Sequence, residues 1–149
     1  MFSDTAKYAT IMLLAGIGIP ILAGLNARLG ARIGSPTAAA VVVFSVALIV
    51  GIVAMLVTTG PKPLTQLTSQ PPQLFMAGLF MAFYVLSVTF IAPKFGVGNA
   101  VFCVLLGQMI SAAAIDHFGL IGATLRPLTL VRTLGLGVMA SGLFLILKG

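Results

Sequence analysis

The stretch PTAAAVVVFSVALIVGIVAMLVT, residues 36–58, decides the fold class. It contains no aspartate, glutamate, lysine or arginine, and a helix of its length, rising about 1.5 Å per residue, crosses a hydrocarbon layer of roughly 30 Å. Inside lipid every backbone N–H and C=O needs a partner within the protein, so an isolated segment of this kind must be helical. Residues 36–58 therefore read as a membrane-spanning helix.

Working outward from it, four further runs have the same character, and the spans are predicted at Tyr8–Leu29, Pro36–Thr58, Leu74–Ile91, Gly98–Ile115 and Val131–Leu147. Of the 149 residues 60% are hydrophobic and 7% charged, against roughly 25% charged in soluble domains. The five spans leave no room for a separate soluble domain. We read residues 1–149 as a single all-α integral membrane domain. The first segment is too long for a signal core and has no well-placed A-x-A site, so it is read as a span and not a cleaved leader.

The net charge of +6 would point to nucleic acid on a soluble chain. Here the basic residues stand singly at span ends, as topology and headgroup anchors, and no nucleic-acid partner is expected. With five spans the termini lie on opposite sides of the membrane. One side then receives Lys7, Lys62, Arg126 and Arg132, and the other Arg28, Arg32, Lys94 and Lys148. This tie gives the positive-inside rule nothing to act on. It predicts insertion in both orientations and pairing as an antiparallel homodimer, whose ten helices reproduce the inverted repeat of many secondary transporters.

Pro20 lacks the N–H that a helix interior requires, so a kink or break is expected in the first span, with Gly16, Gly18 and Gly24 allowing another backbone to approach. GPKPLTQLTSQPPQ (60–73) reads as a surface loop, and HFGLIGATLRPLT (117–129) as an interfacial or re-entrant connection. Ala47 with Gly51, and Gly137 with Ser141, form small-xxx-small pairs suited to packing within the chain or at a dimer seam. Gly135 and Gly137 are packing positions. Cys103 is alone in the fourth span and is assigned to packing.

Polar side chains in spans are costly and either bond a neighbouring helix or line a wet path. The candidates for substrate contact are Asn26, Tyr84, Asn99, Gln108 and Ser111. Gln108, Ser111 and Asp116 share one broad half of the fourth helix, since residues advance about 100° each. Two readings stand for Gln108 and Ser111: a cavity wall, or interhelical hydrogen bonds. Pro20, Asp116 and His117 are candidates for coupling or gating. Asp116, at the end of its span, can alternatively pair with Arg126 or Arg132, and His117 can be an interfacial side chain.

No metal site, cofactor site or catalytic constellation is expected: one histidine and one cysteine supply no ligand cluster, and paired carboxylates, a Walker motif and GxGxxG after a strand are all missing from the sequence. No acidic residue lies at the middle of a predicted span. That disfavours proton-coupled export of lipophilic cations relative to movement of a neutral or anionic metabolite.

The runs GLNARLGARIGSPTAAAVVVFSV (24–46), APKFGVGNAVFCVLLGQMISAAAIDHFGLIG (92–122) and RPLTLVRTLGLGVMASGLFLI (126–146) resemble the YdcZ-type five-span family of the drug/metabolite transporter superfamily. The shared positions are Asn26, Gly34, Ser35, Pro36, Pro93, Gly96, Gln108, Asp116, His117, Gly119 and Arg132. The resemblance implies a bacterial cytoplasmic (inner) membrane protein whose relatives occur as single, paired or fused inverted halves. The chain departs from the pattern at Leu22, where relatives carry glutamine, and at Phe75, Ala77 and Gly78, where they carry tryptophans and paired glycines. The function expected is a secondary transporter or facilitator of a small organic solute, in contact with membrane lipid. A dual-topology ion channel or a non-transporting accessory protein are the alternatives.

Overall fold

The computed structural model describes residues 2–148. Among them all the regular secondary structure is helical, with α1 at Phe2–Ile33, α2 at Pro36–Thr58, α3 at Ala77–Phe95, α4 at Val97–Phe118 and α5 at Leu130–Lys148. Five helical segments are long and apolar enough to cross a membrane. α1, α4 and α5 overrun their predicted spans, α1 most of all, because a helix does not end where the hydrocarbon does; α2 coincides with its span, and α3 begins at Ala77, later than the predicted Leu74, and runs on to Phe95. Asp4 in the first turn of α1 and Arg32 in its last complement the helix dipole and carry it into the polar layers.

The chain divides into two compact units, one up to Lys94 and one from Phe95. In the first unit, α1 turns into α2 through Gly34-Ser35-Pro36. Gly34 adopts φ +71°, the left-handed conformation that ends a helix most cheaply without a Cβ. The Ser35 N–H donates to the Gly30 carbonyl at 3.0 Å, closing a Schellman turn, while the Ser35 hydroxyl accepts from the Ala38 N–H at 3.2 Å as the N-cap of α2. Pro36 occupies the first turn, where its missing N–H costs nothing. Three residues thus satisfy both helix ends in a two-residue connection.

Lipid tails are as apolar as leucine, so these helices are held by close packing of small side chains instead of expulsion from water. Ala23 and Ala27 of α1, and Val85, Val88 and Ala92 of α3, are buried at helical spacing, and the adjacent Ala39 and Ala40 of α2 are buried with them. A Cβ on Gly30 would lie 3.1 Å from the Pro36 Cα and 3.4 Å from Thr89 Cγ2, which identifies the tightest approach. The proposed approach at Gly16, Gly18 and Gly24 is not found: a Cβ at any of them meets nothing within 4 Å among the described residues. Nor does α1 break at Pro20, which lies within one continuous helix. The connection to α3 forms 3-10 turns at Lys62–Ser69 and Pro72–Met76, each opened by proline.

In the second unit α4 and α5 form an antiparallel hairpin. Met109, Ala113, Gly135 and Met139 line one cavity between them, and Phe102, Leu106, Met139, Gly142 and Ile146 line another, positions three or four apart on each helix. Gly137 and Ser141 line neither cavity, and Ser141 donates back to the Gly137 carbonyl at 2.9 Å. The connection 119–129 forms a 3-10 turn at Leu120–Gly122, after which residues 123–129 have no regular secondary structure.

Candidate functional site

The most deeply buried polar group lies in the first unit. Asn26 on α1 is 2% exposed and Thr89 on α3 is 1% exposed. The Thr89 hydroxyl donates to the Val85 carbonyl at 2.6 Å, one turn back on α3, and so must receive its own hydrogen bond by a lone pair. Asn26 supplies it: the Nδ2 amide donates to Thr89 Oγ1 at 2.5 Å. In this arrangement the carboxamide turns its nitrogen toward Thr89. Its Oδ1 is buried with no hydrogen-bond partner.

On its other side Asn26 lines a groove of about 620 Å³ between α1 and α2, walled by aliphatic residues including Leu22, Leu25, Leu29, Val42 and Val46. Ala47 and Gly51, the small-xxx-small pair of α2, lie along the same groove. Tyr84 is half-buried on α3, and its hydroxyl is the second buried polar atom lacking a partner. It stands about 140° around α3 from Thr89, off the stripe that meets α1.

In the second unit Asp116 and His117 anchor the chain that leads into α5. Asp116 Oδ2 accepts from an Arg132 terminal nitrogen at 2.7 Å, with the two side chains 32% and 42% exposed. The Asp116 carbonyl accepts from the Arg126 N–H at 2.8 Å, and His117 Nδ1 accepts from the Leu128 N–H at 3.0 Å. Nδ1 is therefore unprotonated and the ring proton sits on Nε2. Of the two arginines open to Asp116 by sequence, the structure pairs it with Arg132. Arg132 also borders an apolar cavity of about 340 Å³ with Met109, Ala112, Leu136 and Met139.

The remaining candidates stand apart from these clusters. Asn99, in the first turn of α4, donates to the carbonyl of Phe95, the last residue of α3, at 2.9 Å. Gln108 and Ser111 are exposed on α4, away from the α5 seam, and make no hydrogen bond among the described residues. Pro20 is half-buried on α1. Thr89 and Gly30, which complete the first cluster, are not among the residues singled out by sequence. No group of three or more metal-ligating side chains occurs among the described residues.

The model of a family described as "Putative inner membrane exporter, YdcZ" matches residues 7–145. The chain belongs to the YdcZ family. The match spans all five helices and both clusters, and with the five apolar helices it makes this a multi-pass inner-membrane protein. Membership also supports membrane transport as the role of the chain. No curated protein and no solved structure matches the sequence.

Proposed function

We propose that this YdcZ-family chain is a secondary transporter that exports a small organic solute by alternating access, working as an antiparallel homodimer of oppositely inserted copies. The observation that carries the proposal is the equal division of the eight lysines and arginines between the two ends of the five helices. Ten helices related by inversion then supply the two halves that rock about a central site. The residues proposed to contact solute are Asn26, Tyr84, Asn99, Gln108 and Ser111. Gln108 and Ser111, exposed without partners on a single chain, fit surfaces that a second copy would complete. Pro20 is proposed as the point of bending in α1, and Asp116 and His117 as the group controlling the connection to α5. Lipid and the second copy are the proposed macromolecular partners.

Orientation-locked pairs test this. Gln66→Lys with Gln70→Lys biases one side, and Lys62→Gln with Arg126→Gln biases the other. Each locked form alone is expected to lose export of a solute identified by its thermal stabilisation of the purified protein, and co-expression to restore it. Full export by one locked form contradicts the dimer. Conductance without saturable exchange assigns a channel instead.

A further inference from the structure

The Asn26–Thr89 relay says more than that a polar residue is present: it determines the polarity of the atom left over. Thr89 spends its only proton on the Val85 carbonyl, and the Asn26 amide presents nitrogen to it. What remains at Asn26 is an acceptor, and an acceptor buried without a partner forfeits its hydration for nothing in return. Trapped water is a poor remedy. A buried water needs two to four polar partners, and the groove beside Asn26 offers aliphatic walls.

From this geometry we infer that the Asn26 Oδ1 is the recognition point for an N–H or O–H donor on an uncharged solute, whose apolar body lies in the groove between α1 and α2. The inference rests on the transport reading for its biological sense and names the class of solute. It narrows that class in two ways. An anion is disfavoured, because no cationic side chain lines the aliphatic groove to offset the loss of its hydration, and its charged group would bring a second acceptor against Oδ1. A full cation is disfavoured, because no charged side chain lines the groove and one amide oxygen cannot replace the hydration of an ion. Asn26 lines the groove while its Oδ1 is buried, so solute entry requires groove side chains to change rotamer. Thr89 is then a positioning residue: it never meets the solute and holds the amide in the orientation that leaves the oxygen unpaired.

The test uses the purified full chain and three matched probes: N-acetylleucinamide, its fully N-methylated analogue without donors, and N-acetylleucine as the anion. Affinities are read from concentration-dependent thermal stabilisation. N-acetylleucinamide is expected to bind about tenfold more tightly than either comparison probe, the effect of one hydrogen bond to a buried acceptor. Asn26→Leu should abolish the preference. Thr89→Val should shrink it by freeing the amide to rotate, whereas Thr89→Ser, which keeps the hydroxyl, should preserve it. A merely structural role for Thr89 would alter stability without altering the ratio between probes. Equal binding of all three probes overturns the inference, as does a donor preference that survives Asn26→Leu. Because binding is read without a membrane or a second orientation, failure of the orientation-locked pairs leaves this result standing, and failure here leaves export by the dimer standing.

Discussion

Removing the charge of Asp116 tests whether that carboxylate holds structure or carries protons. In Asp116→Asn the 2.7 Å charge-assisted bond to Arg132 weakens to a neutral one, and in Arg132→Gln the partner charge is lost. Exposed ion pairs contribute about 0.2–1 kcal/mol, whereas breaking a buried pair costs about 3–5 kcal/mol. With side chains 32% and 42% exposed, this pair falls between these limits, and each single substitution should cost about 1–2 kcal/mol. For a chain of this length that corresponds to a fall in Tm of about 3–6 °C. The assay is thermal unfolding of the purified protein followed by circular dichroism, run as a double-substitution cycle. Asp116→Asn with Arg132→Gln should be less destabilised than the two single losses added together, by about 1 kcal/mol of coupling. Strict additivity would refute the ion pair as the anchor of α5. An Asp116→Asn protein of unchanged Tm that has lost all transport would instead assign the carboxylate to coupling.

Two further substitutions probe the packing in each unit. Gly30→Ala places a Cβ 3.1 Å from the Pro36 backbone, which cannot rotate away, and should destabilise by about 1–2 kcal/mol in the same unfolding assay; an unchanged Tm would show that α1 and α2 separate freely. His117→Ala removes the acceptor of the Leu128 N–H, so hydrogen exchange at that amide should accelerate about tenfold while amides in the middle of α4 keep their protection.

Some of this architecture is legible in the residues and some is not, for identifiable reasons. The uncharged run at 36–58 leaves helix as its only solution in lipid, and Gly34, Ser35 and Pro36 each have one conformational use that they fulfil in order. Asn26 is legible because a carboxamide in a span cannot satisfy itself. Thr89 is not, because span hydroxyls commonly bond their own helix, as Ser45 does to Val41 and Ser141 to Gly137, and a hydroxyl that also serves another helix looks the same in sequence. Glycines mislead for a related reason. Gly16, Gly18, Gly24 and Gly30 are equally permissive, and only what stands opposite makes Gly30 the contact. Arg126 and Arg132 are likewise equivalent by spacing, until the Arg126 N–H is committed to the Asp116 carbonyl and Arg132 is left to reach the carboxylate.

The length of α1 has a consequence for the kind of bilayer this protein suits. Its 32 residues extend about 48 Å, yet the stretch from Lys7 to Arg28 measures about 31 Å, close to the hydrocarbon thickness itself. The two cations act as floats at opposite surfaces and fix the depth of the helix that carries Asn26. In a thinner membrane α1 must lean and in a thicker one it must draw a charge inward, whereas α2 has no charge of its own to set its depth. Acyl-chain length thereby becomes a mechanical input to the register between these two neighbours, and to the shape of the groove they enclose.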